Sequence, residues 1–380
     1  MSGLGFSLPT SRAFRINQHA TRFPCALRNV TIRNYRVRSG WAQQGPPLAF
    51  AFDIDGVLLK GENVIPQAKK AIQMLEGDNK LGIKIPYIFI TNGGGVSEKT
   101  RCRKLSEKLG VEVSLSQFMQ AHTVLRSVVN KYADEPVLVL GGRPGDVPRV
   151  AEEYGFRNVY TTLDILSWDQ SIWPLHSLDE NELAFLRPRP KFDPSTRFAA
   201  VFVFHDPRNW ALDTQITCDI LRNNGYVLPP SVLESTSKTL KGGQANLVSL
   251  VFCNPDLLWG NDFPAPRLGQ GGFRVAFQSV YRELTGNEYP YTQLGKPTVE
   301  TYKYAEELLR ARLKELYQPL KNEGSQDEIL PNVYMVGDNP ESDIAGANTK
   351  GWSSILVKTG LRNSNNRAIY LLLIKQYKAY

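Results

Sequence analysis

At 380 residues, 42% apolar and 22% charged, the chain has the composition of an ordinary globular protein and is long enough for more than one domain. Its net charge of +8 does not point to nucleic acid, because Arg12, Arg15, Arg22, Arg28, Arg33, Arg36 and Arg38 lie together in a leader with no acid before Asp53. Without those seven, 38 basic residues face 37 acidic ones, and the remainder is nearly neutral.

In chain order, the leader (1–45) is Arg-rich, acid-free and dotted with Ser and Thr. That is the composition of a mitochondrial transit peptide, so import into the mitochondrion, with the matrix as destination, is expected. No stretch approaches the roughly 20 apolar residues that span a bilayer. The cysteines, Cys25, Cys102, Cys218 and Cys253, are scattered, with no zinc spacing.

Residues 48–52 read as a buried strand, 65–76 as a helix with Pro66 in its first turn, and 86–91 as the next strand. Gly93-Gly94-Gly95 breaks that strand, and Ser97 starts a helix to about Leu109. A further helix is expected over 115–131. This alternation implies a parallel sheet with crossover helices. Strands follow at 137–140 and 199–204, with an irregular insertion over 163–197. Helices are expected at 213–223, 273–284 and 299–316, and strands at 248–252, 333–336 and 354–357. Residues 321–331 read as a polar loop, and the acid-free tail 361–380 as atypical.

Asp53-Ile54-Asp55-Gly56 follows the first strand, Thr91-Asn92-Gly93 ends the second, and Asp338 follows the strand at 333–336. In an open parallel sheet, ligands bind beyond the carboxyl ends of the strands, so these groups fall on one rim. Asp343 and Lys296 join the same constellation. Clustered carboxylates repel unless a cation separates them, and an oxygen-only set selects a hard ion, Mg²⁺ first.

The ordered set Asp53/Asp55, Thr91-Asn92-Gly93-Gly94, Lys296 and Asp338/Asp343 resembles the four motifs of the haloacid dehalogenase superfamily of phosphohydrolases. The resemblance spans about 46–360. Phe252-Cys253-Asn254-Pro255-Asp256 and Gly269-Gln270-Gly271 resemble the nucleotidase- and pyridoxal-phosphatase-like branch. The leader and the 163–197 segment look closest to the cat eye syndrome critical region protein 5-like mitochondrial hydrolases. The resemblance implies an α/β fold, a three-layer Rossmann-like parallel-sheet core (46–131 and 266–380) with an inserted α/β class II cap (132–265). It also implies an aspartyl-phosphate mechanism. Asp53 would be the nucleophile and Asp55 the acid/base, its backbone carbonyl also on the metal. Thr91, Asn92 and Gly93 would bind the phosphoryl group. Lys296 would balance charge. Asp53, Asp55, Asp338 and Asp343 would form the metal site, with Asp343 also orienting Lys296 or a metal-bound water.

His205 and Arg208, near the end of the strand at 199–204, are candidates for a second anionic group. The expected partner is a small phosphorylated metabolite, with no nucleic acid, no transmembrane segment and a homodimer through the cap. Two other functions fit the same residues. One is a phosphotransferase linked to glycerophospholipid metabolism, and the other a non-catalytic mitochondrial interaction protein on a hydrolase fold.

Overall fold

The computed structural model describes residues 46–235, 247–260, 263, 265–317, 330–360 and 372–374. The leader, nearly all of the 321–331 loop and most of the 361–380 tail lie outside the described residues. Strands run in chain order as β1 (Leu48–Phe52), β2 (Leu59–Lys60), β3 (Asn63–Val64), β4 (Tyr87–Thr91), β5 (Phe118–Gln120) and β6 (Pro136–Leu140). They continue as β7 (Asn158–Tyr160), β8 (Ala200–Val203), β9 (Ser249–Phe252), β10 (Leu258–Trp259) and β11 (Arg267–Leu268). The last four are β12 (Thr292–Gln293), β13 (Asn332–Gly337), β14 (Ser353–Leu356) and β15 (Leu372–Ile374).

Two larger sheets dominate. The first has the order β15-β14-β13-β1-β4-β5 and is parallel except for β15, which runs antiparallel to β14. The second has the order β12-β9-β8-β6-β7 and is parallel throughout. Both faces of each sheet are covered, which is why their strands read as continuous apolar runs. Within the first sheet the pleat sorts the residues. Ala49, Ala51, Ile88 and Ile90 face Tyr302, Ala305 and Leu309 of the helix Val299–Leu316. Phe52, Tyr87 and Phe89 face the helices Pro66–Leu75 and Glu98–Leu109 through Ile72, Leu75, Leu105 and Leu109. No helix among the described residues is long and apolar enough to cross a membrane.

Two elements differ from the sequence expectation. Residues 115–131 are not one helix. A 3-10 turn at Leu115–Gln117 leads into β5, then a second 3-10 segment, Ala121–Val128, and one short α-turn. Phe118, Met119 and Gln120 extend the first sheet beside β4, so sheet pairing overrides the helical spacing. The 163–197 insertion is not wholly irregular, for helices occupy Thr162–Trp168 and Glu180–Leu186. Each starts with a reciprocal capping box, Thr161 with Asp164 and Asp179 with Glu182. The layer around the second sheet also runs past residue 265. The helix Gln270–Thr285 buries Phe273, Phe277 and Tyr281 there, and β12 pairs with β9, so this layer reaches residue 293.

Candidate active site

β13, β1 and β4 are neighbours, and the residues after them meet. The Asp53 amide donates to the Val336 carbonyl at 2.9 Å, tying the two strand ends together. One carboxylate oxygen each of Asp53, Asp338 and Asp343 lies within 4.8 Å of the others, and all three residues are buried. The Lys296 ammonium is 2% exposed. It donates to Asp53 Oδ1 at 2.6 Å, to Asp343 Oδ1 at 2.7 Å and to the Ile90 carbonyl at 2.9 Å. All three hydrogens of the ammonium are therefore used. Burial by itself lowers the Lys296 pKa, but Asp343 and Asp53 outweigh it and hold the ammonium above the ordinary lysine range. Burial raises the Asp53 carboxyl; Lys296 opposes this, while Asp343, Asp338 and Asp55 add to it. The second oxygen of Asp343 accepts from the Asn339 amide at 3.1 Å, so this carboxylate is fixed from two sides.

Asn92 fixes the backbone that carries Lys296. Its Oδ1 accepts from the Lys296 amide at 2.8 Å, and its Nδ2 donates to the Lys296 carbonyl at 3.0 Å. The same Nδ2 donates to Asp256 Oδ2 at 3.1 Å, which joins the rim of the first sheet to the loop after β9. Burial pushes the Asp256 carboxyl up to about 6. Gly295 has a φ of 89°, and a Cβ there would come within 2.5 Å of the Cys253 carbonyl. Only glycine allows the lysine loop to approach the second sheet so closely.

Thr91 is buried, and its hydroxyl accepts from the Gly93 amide at 2.9 Å. That bond leaves the hydroxyl's own hydrogen free to donate. Asp55 lies beside this loop but outside the buried carboxylate group, with a side chain 58% exposed and 3.9 Å from the Arg101 guanidinium. His205 reaches the same loop. A Cβ on Gly95 would fall 1.8 Å from its ring, and its Nδ1 lies 2.8 Å from Asp206 Oδ2. Arg208 is exposed, and among the described residues no hydrogen bond or ion pair joins it to the carboxylates.

Sequence reasoning singled out Asp256 only within a longer motif and missed Arg101 and His122. His122 is fully buried and underlies the glycine loop, its Nε2 accepting from the Gly95 amide at 3.3 Å. Its Nδ1 lies 2.8 Å from the Tyr154 hydroxyl, which in turn donates to Glu98. The network therefore assigns the proton to Nδ1. Burial lowers the His122 pKa to about 4, so the ring is neutral. Thr123 donates to the same Glu98 oxygen at 2.9 Å, and Arg126 stands 3.7 Å from the other. Tyr154→Phe removes the link between His122 and Glu98 and leaves two buried polar groups short of a partner. A loss of about 1–3 kcal/mol in urea unfolding is expected. An unchanged midpoint and slope would show that the hydroxyl does not matter.

Among the described residues, Asp53, Asp338 and Asp343 bring three buried carboxylates together, and Lys296 pairs with Asp53 and Asp343. That oxygen-only donor set fits a hard divalent cation, which would reduce the repulsion that raises Asp53.

The family model for haloacid dehalogenase-like hydrolases matches residues 50–157, and a second, HAD-hydrolase-like model matches residues 293–369. A mitochondrial hydrolase of Saccharomyces cerevisiae is 40% identical over 330 residues, covering 84% of this chain and 89% of the relative. A cardiolipin synthase (CMP-forming)/mitochondrial hydrolase fusion protein of Schizosaccharomyces pombe is 37% identical over 346 residues. That match covers 90% of this chain but only 54% of the relative, so the chain spans about half of the fusion protein. The crystal structure of a possible sugar phosphatase from Cytophaga hutchinsonii aligns with a TM-score of 0.53 at 16% identity, covering 83% of this chain and 86% of that one. At that identity the likeness concerns the fold.

Proposed function

The chain belongs to the haloacid dehalogenase-like hydrolases, and from that premise we propose that it is a Mg²⁺-dependent phosphatase of a small phosphorylated metabolite, acting through a phosphoryl group carried on Asp53. The observation that carries this reading is the Lys296 ammonium held between Asp53 and Asp343, with Asp338 in the same carboxylate group, and bonded to the Ile90 carbonyl just before Thr91. An Asp53 oxygen attacks phosphorus, the phosphorus–ester oxygen bond breaks, and a phosphorus–Asp53 bond forms. Asp55, at the exposed edge of the group, gives its proton to the departing oxygen. It then takes a proton from the water that attacks phosphorus, and inorganic phosphate leaves as the bond to Asp53 breaks. Thr91 and the Gly93 loop orient the phosphoryl oxygens. Lys296 holds Asp53 in place and offsets developing charge. Asp53, Asp338, Asp343 and the Asp55 backbone carbonyl would hold the cation, which supplies positive charge against the repulsion between carboxylate and phosphate. The bonds from Lys296 and Asn339 support a role for Asp343 in orienting the lysine as well.

In this reading the first sheet is the catalytic core. The second sheet is a cap that limits access to small substrates and carries the homodimer contact. The Arg-rich leader and the two relatives described as mitochondrial hydrolases support a mitochondrial protein, and the matrix is its proposed compartment. One observation favours the second reading, a phosphotransferase of glycerophospholipid metabolism, because the fission-yeast relative joins such a hydrolase to a cardiolipin synthase.

The test is phosphate release from a panel of phosphate monoesters with Mg²⁺ and with excess chelator. Turnover should be lost with chelator, return with Mg²⁺, and be far weaker in Asp338→Asn. Full activity in chelator would refute the metal assignment, and no turnover of any ester with Mg²⁺ would refute the phosphatase.

A further inference from the structure

Arg101 stands at the edge of the site and has no part in the reaction as described so far. It lies in the first turns of the helix Glu98–Leu109, which Ser97 caps just after the glycine loop. Its amide donates to the Ser97 carbonyl at 3.1 Å, so the helix fixes where the side chain starts. The side chain is 31% exposed, and its ion pair among the described residues is with Asp55, at 3.9 Å. Among the described residues its guanidinium makes no hydrogen bond. Glu62, an acid whose charge Arg101 also meets, takes its own bond from Lys108 at 2.5 Å. A cation with five donors in a fixed fork therefore stands beside the proposed acid/base, and the protein uses none of those donors in a hydrogen bond.

Gly93 shows what the guanidinium faces. Its φ lies outside the left-handed region, so the backbone there does not demand glycine. What glycine supplies is space. A Cβ would lie 3.1 Å from Thr91 Oγ1, 3.4 Å from Arg101 Nη2 and 3.5 Å from Asp55 Oδ2. One small space thus adjoins a hydroxyl, a guanidinium and a carboxyl group. An oxygen in it would be met by a donor from each of them when Asp55 is protonated, and most strongly if that oxygen carries negative charge. Thr91 and Asp55 are the groups assigned to the phosphoryl oxygens and to the departing oxygen, which puts the space at the reacting bond. Lys296 cannot serve there as it stands, because its three hydrogens are held by Asp53, Asp343 and the Ile90 carbonyl.

We infer that Arg101 is a further catalytic residue, its guanidinium donating to the ester oxygen beside Asp55 and offsetting the negative charge that grows there as the phosphorus–oxygen bond breaks. This rests on the phosphatase reading and adds a group to that same site. The bonds made and broken are those already described. The proton still comes from Asp55, and Arg101 stays charged throughout.

The full chain with Mg²⁺ is assayed on ethyl, phenyl and 4-nitrophenyl phosphate, whose departing oxygens need progressively less help. In Arg101→Gln, kcat/KM should fall about 10²-fold on ethyl phosphate and less than about tenfold on 4-nitrophenyl phosphate. An equal loss on all three, or a loss confined to esters with a second anionic group, would make Arg101 a general attractor of anions or a reader of the alcohol, and would overturn the inference. Asp55→Asn shifts the same preference, so the two substitutions are combined. With phenyl phosphate, Arg101→Gln should slow phosphoryl transfer to the Asp55→Asn protein by a further factor of about ten or more, read by rapid quench. No further loss would mean that Arg101 acts only by holding Asp55, and the inference would be wrong. Orthovanadate, whose five-coordinate form places an oxygen opposite Asp53, tests the contact without turnover. Calorimetry should show binding at least about tenfold weaker in Arg101→Gln, and equal affinity would overturn the inference while leaving the phosphatase intact. If no ester turned over, the phosphatase reading would fall, and vanadate would still decide whether Arg101 meets an oxyanion. The guanidinium makes no hydrogen bond within the described residues, so Arg101→Gln should keep the parent's urea midpoint.

Discussion

Asp53→Asn is expected to end turnover, lowering kcat by more than about 10⁴-fold, because the amide keeps the shape of the side chain but cannot attack phosphorus. Loss of activity alone would not separate a nucleophile from a buried ion-pair partner, since Asp53 also accepts from Lys296 at 2.6 Å. The comparison with Asp55→Asn does. Asp55 lies 58% exposed and outside the buried group, so its substitution leaves the Lys296 bonds untouched. With an alkyl phosphate the leaving oxygen needs a proton, and Asp55→Asn should fall by roughly 10²–10⁴-fold. An aryl phosphate with a good leaving group needs no proton to depart. There Asp55→Asn should still pass the phosphoryl group to Asp53 and then stall, for want of a base to activate water. Rapid-quench mass measurement should find one phosphoryl group on Asp55→Asn and none on Asp53→Asn. Phosphorylation of the Asp53→Asn protein, or turnover by it, would reverse the assignment.

The carboxylate rim was legible because of how a parallel sheet is built. When β13, β1 and β4 run the same way, whatever follows them shares an edge, so the sequence alone groups Asp338, Asp53 and Thr91. The bracket that aims Lys296 was not legible. Asn92 and Lys296 are 204 residues apart, and no local pattern marks an amide that bonds both faces of a distant peptide. His122 was hidden for a related reason. It lies in the 115–131 stretch whose apolar spacing reads as a helix, and a three-residue strand such as β5 is too short to show a period of two. The insertion reads as irregular for a different cause. Its two helices are short and carry few core residues, yet their capping boxes, Thr161 to Asp164 and Asp179 to Glu182, stand in the sequence. The second sheet's layer extends to residue 293 because Phe273, Phe277 and Tyr281 bury their rings in it, a partnership that helix periodicity cannot reveal.

Lys296→Met should be the most destabilising single change at the site. The thioether roughly fills the volume of the lysine stem but provides no charge and no donor. Asp53 and Asp343 would then be two buried carboxylates without a cation, and the Ile90 carbonyl would lose its bond. Breaking a buried ion pair by removing one partner costs about 3–5 kcal/mol. The pH dependence identifies the cause. In the intact protein burial already raises the Asp53 pKa, with Lys296 as the opposing influence, so the variant's Asp53 should be raised further. A carboxyl with a folded pKa above its unfolded one binds more protons when folded, and stability then falls as pH rises through the folded value. The variant should be closest to the parent near pH 5 and furthest below it at pH 7.5 in chelator. Because a divalent cation can take over the charge balance, saturating Mg²⁺ should recover more stability in the variant than in the parent at pH 7.5. Urea unfolding at both pH values, with Mg²⁺ and with chelator, measures all four quantities. A loss that is the same at pH 5 and 7.5 and indifferent to Mg²⁺ would mean that Lys296 acts by packing alone, and that the carboxylates around it are neutral in its absence.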